Sequence, residues 1–284
     1  MIPSSFEYVA PTTLDDAVSA LAEGGEDAKV IAGGQSLMPV LRLRLNSPST
    51  IIDLGRIEEL RGVRDDGDAI VVGAMTTHHD VMTDELVGRH AALLAEATAT
   101  VADPQIRHRG TFGGSLAHAD PAGDLGAVAV ALDAELLVAG PNGRRSITTS
   151  DFFTDFFTTA LEPDEILSGV RIPKHTDWAA HYEKFHRVAQ SWSMVAVAAT
   201  VAVDGGTIRK AAVALTNMGA VPVRARAVEE ALVGQSADLD VIKAAAEHAA
   251  DGTDPMSDTN ADAEYRTHLA KVLTRRAVVT AAGV

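Results

Sequence analysis

The sequence predicts an α+β protein in three pieces, the last an antiparallel sheet covered by helices. Short apolar runs of strand length, at residues 29–32, 51–54 and 70–73, alternate with stretches of helical period. Asp204-Gly205-Gly206 lies between two long apolar runs, residues 193–203 and 207–215. That is a hairpin signal, and it makes the two runs an antiparallel pair. The length of 284 residues, 46% of them hydrophobic, allows one large domain or two to three small ones at about 100–200 residues each.

Residues 12–21 read as a helix. Thr13 can cap it, Asp15 and Asp16 fall in its first turn, and Leu14, Ala17, Val18 and Leu21 recur at helical spacing. Gly24-Gly25 ends it. Residues 29–32 then form a buried strand running into Gly33-Gly34, and residues 51–54 another, which suggests a β-α-β start. From Arg61 the texture changes. Residues 70–73 and 136–139 read as strands, with a turn at Asp66-Gly67-Asp68. Between them an Ala- and Leu-rich helix spans residues 86–102, and Pro104 marks its end. Residues 165–173 form a strand closed by Pro173. The third piece opens near Trp178 and carries the hairpin and three helices, at residues 226–232, 239–250 and 263–282. The last helix puts Tyr265, Leu269, Val272 and Leu273 on one face. The expected divisions are residues 1–60, an N-terminal α/β lobe; 61–175, a second α+β lobe; and 176–284, a C-terminal domain.

Composition excludes several functions. A net charge of -15, from 24 basic and 39 acidic residues, removes the electrostatic attraction that dominates nucleic-acid binding. Without cysteine the chain holds no disulfide, thiolate nucleophile, cysteine zinc site or iron–sulfur cluster of its own. The first ten residues lack the basic and apolar regions of a secretory signal. The longest uninterrupted apolar stretches, such as residues 195–199, fall short of the ~20 needed to cross a bilayer. A cytoplasmic protein with no direct membrane insertion is expected.

Two glycine pairs carry the main chemical signal. Ala32-Gly33-Gly34-Gln35-Ser36-Leu37 follows a strand, and Gly110-Thr111-Phe112-Gly113-Gly114-Ser115 forms the second loop. Without Cβ atoms, backbone amides approach an anion closely, and successive N–H groups make an anion-binding concavity. Ser36, Thr111 and Ser115 add hydroxyls. Either pair alone is equally well a turn; the flanking donors favour a grip on the two phosphates of a dinucleotide. G-x-G-x-x-G and G-K-[ST] are both absent, so the site is neither a Rossmann fingerprint nor a P-loop.

Downstream, Asp120 precedes Pro121 and reads as a helix cap, while Asp124 in the first turn suits a ribose diol. His118 is either a general acid or a structural residue near a helix start. Lys184 can place a positive charge near a bound ring, and Trp192 can cover a planar cofactor; a surface Lys and a core Trp are the plainer readings. Arg42 and Arg44, alternating with Leu41, Leu43 and Leu45, fit either a helix or a strand face. Ser115, His118 and Asp120 crowd one turn too tightly for a triad, G-x-S-x-G is absent, and no H-E-x-x-H or other metal-ligand spacing occurs. Neither catalytic residues nor a metal site are expected on this chain.

Both glycine loops, with Met38-Pro39 after the first and Asp120-Pro121 and Asp124 after the second, resemble the flavin-binding medium subunit of the molybdenum hydroxylases. Gly73-Ala74-Met75-Thr76-Thr77, Asp164-Glu165-Ile166-Leu167 and Glu264-Tyr265-Arg266-Thr267 support this, and the resemblance covers nearly the whole chain. It implies a FAD-binding fold of the vanillyl-alcohol oxidase (PCMH) type in two lobes, plus a separate C-terminal domain. It implies non-covalent FAD, its pyrophosphate held at Ala32, Gly33, Gly34, Gln35, Ser36 and Leu37 and at Thr111, Gly113, Gly114 and Ser115. Asp124 would contact the adenosine part, Leu167 and Lys184 would lie at the flavin, and Trp192 would stand over the isoalloxazine.

The implied partners are a large molybdopterin subunit and a small subunit with two two-iron, two-sulfur clusters, in a dimer of heterotrimers. Electrons would pass from the clusters through FAD to a quinone, NAD or oxygen, and the complex could bring the chain to a membrane. Residues 102–107 and 264–267 and the start Met1-Ile2-Pro3 resemble most the aerobic carbon monoxide dehydrogenase branch, which converts CO and water to CO2. The alternatives are a relative acting on an N-heterocycle, purine or aldehyde, and a stand-alone flavin oxidoreductase. Gln35, Phe112, Ser115 and His118-Ala119 depart from residues common in relatives.

Overall fold

The computed structural model describes residues 2–284, so the Met1 of the opening motif lies outside the described residues. The chain opens with β1 (Glu7–Val9), α1 (Leu14–Gly24), β2 (Ala28–Ile31), α2 (Leu37–Leu43) and β3 (Thr50–Asp53). The strands form a parallel sheet ordered β1-β3-β2, so β3 enters between the other two. Thr13 caps α1 as expected, its Oγ1 accepting from the Asp16 amide at 3.1 Å. Leu14, Ala17, Val18 and Leu21 pack with Ile52, Leu54, Ile57 and Leu60 beneath the sheet.

A second unit follows with β4 (Val63–Asp66), β5 (Ala69–Gly73), α3 (His78–Thr83), α4 (Glu85–His90), α5 (Ala92–Ala99), α6 (Pro104–Arg107), α7 (Phe112–His118) and α8 (Asp124–Ala131). It continues through β6 (Glu135–Gly140), β7 (Gly143–Thr148), α9 (Thr149–Phe152), β8 (Phe153–Asp155), β9 (Thr158–Thr159) and β10 (Ile166–Pro173). The main sheet is antiparallel and ordered β4-β5-β10-β6-β7. The single helix expected over residues 86–102 is two helices. Ala91 leaves the helical region at φ -145°, ψ 51°, while Asp84 Oδ1 caps α4 through the Leu86 and Val87 amides. Buried Val87, Ala91, Leu94 and Ala97 carry the apolar rhythm across the break, which hides it from a periodicity reading. Pro104 opens α6 rather than closing a helix, with Asp103 as its cap. A proline is harmless at a first helical position because its missing N–H would have no partner there.

The last unit holds β11 (Ala179–Phe185), β12 (Val195–Asp204), β13 (Thr207–Thr216), β14 (Val223–Arg224), α10 (Arg226–Leu232), α11 (Leu239–Ala246) and α12 (Ala263–Ala282). The sheet is antiparallel in order β11-β12-β13-β14, with Gly205-Gly206 as the hairpin turn. The buried face of α12 carries Arg266, Leu269, Ala270, Leu273, Thr274, Ala277, Val278 and Ala281. Tyr265 lies outside it, 42% exposed, one residue off the expected stripe.

β12 is buried on both faces. Val195, Val197, Ala199 and Val201 pack against the C-terminal helices, whereas Ala196 and Ala198 join the core built on α5, α7 and α8. That two-sided burial explains why the strand reads as one continuous apolar run. The same central core encloses Phe112, which is fully buried. Replacing Phe112 by Ala should cost about 3–5 kcal/mol through lost burial and a residual cavity. Denaturant unfolding checks this, and a loss within the range of a surface substitution would contradict the packing described.

Candidate functional site

The two glycine loops meet in space. A Cβ built on Gly33 would lie 2.2 Å from the Arg109 carbonyl oxygen and 2.7 Å from Gly110 Cα, and one on Gly114 would lie 3.1 Å from Ala32 Cβ. Gly34 has φ +74°, a left-handed conformation that glycine adopts without strain. Past this turn the amides of Gly34, Gln35, Ser36 and Leu37 donate to no protein acceptor among the described residues. Met38 is the first residue of the segment to close a bond, to the Gly34 carbonyl. Consecutive free N–H groups on one turn form a concavity suited to a phosphate.

The second pair has a different job. The Gly113 amide donates to the Ala74 carbonyl at 2.9 Å, and the Gly114 amide to Thr111 Oγ1 at 3.1 Å. A Cβ on Gly113 would collide with Ala74 Cβ at 2.4 Å. These glycines seat the first turn of α7 against the end of β5, so their own two amides are already occupied. Ser115 donates its hydroxyl to the Phe112 carbonyl at 2.7 Å, leaving its oxygen free to accept. Of the two glycine pairs, only the first is followed by consecutive amides without a protein acceptor among the described residues.

A cavity of about 370 Å³ opens beside the loops. Gln35, Ser36, Ser115, Asp124, Lys184 and Trp192 all line it, so six of the expected site residues share one space. Val101, Ala102, Ile106, Leu125 and Phe153 supply apolar wall. Trp192 is 56% exposed, a cavity-edge residue rather than a core one. Leu167 does not line the cavity; it is buried in the central core on β10. Ala32, Gly33, Gly34, Leu37, Thr111, Gly113 and Gly114 are not among the lining residues.

Asp124 faces the cavity with its carboxylate already engaged. Oδ1 accepts from Tyr182 Oη at 2.8 Å and Ser193 Oγ at 2.7 Å, and Oδ2 accepts from Lys184 Nζ at 2.8 Å. The side chains of Asp124 and Lys184 are 4% and 5% exposed. Lys184 also donates to the Thr100 carbonyl at 3.2 Å. The lysine is thus not a free cation beside a ring, and the aspartate is not a bare ribose acceptor; each is first the other's counter-charge. Burial and the adjacent carboxylate push the Tyr182 hydroxyl well above its usual range, so it stays a donor. Tyr182 and Ser193 were missed as site residues because neither has a local motif.

Asp120 caps a turn rather than a helix, its Oδ1 accepting from the Ala122 amide at 2.9 Å; α8 begins at Asp124, with Gly123 before it. His118 closes α7 instead of opening a helix, and its ring packs 5.1 Å from Phe157. Arg42 lies in the last turn of α2, and Arg44 takes φ 57° at its C-terminal cap, so this segment is a helix end rather than a strand face.

His78 is a cavity-lining residue that the sequence did not single out. It is 4% exposed, and its Nδ1 is buried without a protein partner. Free loop amides and an apolar wall together fit the phosphates and ring of a dinucleotide such as FAD.

Lys184→Met leaves a buried carboxylate without its counter-charge and should destabilise the chain by about 3–5 kcal/mol. Equilibrium unfolding measures it; a change below about 1 kcal/mol would place the pair among exposed ion pairs. The His78 imidazole is pushed down to about 4, first by burial and then by the Arg107 charge, from an ordinary value of 6.5. The unfolded chain therefore binds the proton first as pH falls. The His78 contribution to stability should decline between about pH 6.5 and pH 4 and level off below. His78→Asn should remove about 3 kcal/mol of that decline. Unfolding curves of both proteins across this window decide it; parallel declines would contradict a buried neutral ring.

Known proteins share this fold. Residues 4–175 match the family described as the FAD binding domain in molybdopterin dehydrogenase, and residues 180–281 match the CO dehydrogenase flavoprotein C-terminal domain. The chain is 38% identical to the carbon monoxide dehydrogenase medium chain of Hydrogenophaga pseudoflava over 98% of this chain and 97% of the other. It is similar to a chain of the reconstituted CO dehydrogenase from Oligotropha carboxidovorans, with TM-score 0.97, 38% identity and coverage of 100% and 99% of the two chains. A chain of quinoline 2-oxidoreductase from Pseudomonas putida 86 matches at TM-score 0.95 and 35% identity, with the same coverage. With the family match spanning well over half its length and these relatives aligned end to end, the chain belongs to the FAD-binding family of the molybdopterin dehydrogenases, with the C-terminal domain of the CO dehydrogenase flavoproteins.

Proposed function

We propose that this chain is the FAD-carrying medium subunit of an aerobic carbon monoxide dehydrogenase. The observation that carries the reading is the end-to-end agreement with CO dehydrogenase chains in both sequence and fold. In this reading CO is oxidised on a large molybdopterin subunit, and a small subunit with two two-iron, two-sulfur clusters delivers the electrons. The assembly is a dimer of heterotrimers in the cytoplasm, and the acceptor is a quinone, NAD or oxygen. Among the described residues no helix is long and apolar enough to cross a membrane.

The residues of this chain bind and orient. The amides of Gly34, Gln35, Ser36 and Leu37 and the Ser36 hydroxyl take the pyrophosphate oxygens, with Ala32, Thr111, Gly113 and Gly114 fixing the loops against each other. Ser115 offers an acceptor oxygen beside them. Asp124, held by Tyr182, Ser193 and Lys184, builds the polar wall towards the adenosine, and Trp192 covers the ring at the cavity edge. Leu167 supports the flavin side from the core. FAD, when bound, supplies the redox chemistry, taking electrons one at a time and releasing them to the acceptor. The protein contributes position and electrostatics, and needs no acid–base constellation of its own.

The test is to purify the protein with whatever subunits accompany it. The expected fraction is yellow, with iron–sulfur absorption, two further chains on a denaturing gel and molybdenum by metal analysis, and it reduces a dye when CO is supplied. Reduction by an N-heterocycle, purine or aldehyde but not by CO would overturn the substrate. A folded chain that neither carries nor takes up FAD would overturn the flavoprotein reading altogether.

A further inference from the structure

We propose that Asn217 is a positioning residue of the cofactor site, fixing the backbone beside Trp192 and so setting where the indole stands over the flavin. The inference rests on the FAD reading above, in which Trp192 covers the ring, and adds a residue that does not itself line the flavin cavity.

Packing alone does not hold Trp192. Its side chain is 56% exposed, and a second cavity of about 450 Å³ adjoins the first. Asp120, Ser191 and Trp192 line both, so the indole borders open space in each. Its own loop does not hold it either. Among the described residues, 186–192 make no hydrogen bond to the rest of the chain; their one backbone bond is internal, from the Ser191 amide to the Val188 carbonyl at 3.1 Å. The loop is closed beneath, where the Met194 amide donates to the Phe185 carbonyl at 2.8 Å.

The anchors begin one residue past Trp192. Asn217, directly after β13, donates from Nδ2 to the Ser193 carbonyl at 2.8 Å and the Met194 carbonyl at 3.3 Å. A side-chain amide nitrogen carries two hydrogens, so both bonds form together. Arg266 donates to the same Met194 carbonyl, but only Asn217 holds the carbonyl of Ser193 among the described residues. Through its own backbone amide Asn217 also donates to the Pro121 carbonyl at 2.9 Å. One residue thus grips the turn that starts at Asp120 and the segment that follows Trp192, and Asp120 and Trp192 are both walls of both cavities. Asn217 takes φ +63°, a left-handed conformation that asparagine adopts more readily than most residues. The position therefore asks for asparagine twice, for its backbone and for its paired donors.

The experiment uses the full chain, purified with the subunits that accompany it and first saturated with added FAD. FAD release is the rate at which flavin fluorescence appears on dilution into FAD-free buffer. Wild type, Asn217→Asp, Trp192→Leu and the double variant form a cycle. Asp keeps the shape of Asn, but its carboxylate donates to neither carbonyl. Asn217→Asp should release FAD about three- to tenfold faster than wild type, the worth of one neutral hydrogen bond. In the Trp192→Leu background the same change should alter release by less than about twofold, because a residue acting through the indole then has nothing to position. Release by Asn217→Asp at the wild-type rate would overturn the proposal. So would equal acceleration in both backgrounds, which assigns Asn217 to general stability, and so would Trp192→Leu releasing FAD as slowly as wild type, which leaves no covering ring to place. If Asn217→Asp does not fold, Asn217→Gly takes its place under the same outcomes, since glycine keeps the left-handed backbone and drops the donors. A wild type that takes up no FAD would instead be a failure of the function proposed above.

Discussion

One carboxylate ties the molecule together. Asp124 sits at the start of α8, and all three of its side-chain donors, Tyr182, Lys184 and Ser193, come from β11 and the segment leading into β12. A buried ion pair is stable only when its remaining lone pairs are also met, and here they are. The cluster therefore fixes how the C-terminal sheet approaches the central core, and with it the far wall of the cavity. The glycine loops fix the near wall by steric means: Gly33 and Gly114 allow two backbone segments to touch where any side chain would hold them apart. An electrostatic clamp and a steric one thus face each other across one cavity.

The composition makes this closeness practicable. Aromatics are only 4% of the chain, and the contacts between α8 and the C-terminal sheet are largely alanine and valine. Small side chains let a helix and a sheet approach closely, while the larger residues Phe112, Phe152 and Leu94 fill the space further in. Ala196 and Ala198 on one face of β12, with Val195 and Val197 on the other, assign thin contacts to the cavity side and bulk to the helical side.

Much of this was legible in the residues. The cap on α1, the Gly205-Gly206 hairpin and the full spans of α10 and α12 follow from local rules that depend on a few neighbouring residues. The glycine loops stood out for the same reason. What stayed hidden was long-range or polar. β7 is an exposed edge strand reading Gly-Arg-Arg-Ser-Ile-Thr, with a single buried residue and so no apolar rhythm. β11 mixes His, Glu and Lys with its apolar residues because one of its faces carries the polar cluster. The engagement of Asp124 depends on partners 58, 60 and 69 residues away, which no local pattern announces. His78 sits beside a second histidine and looked ordinary; only its burial and its unpaired nitrogen set it apart.

The two-sided burial of β12 reaches beyond packing. A strand shared by two cores cannot belong to one and be spared when the other opens. The helical layer behind the sheet and the central core in front of it are coupled through the same ten residues, so loosening at α12 reaches that core, and through it the elements that carry the cavity wall. Cooperativity of that kind makes the chain hard to trim or to divide. The C-terminal unit is then less a separate appendage than the back half of the binding site, and a surface change far from the flavin can show itself first as a paler protein.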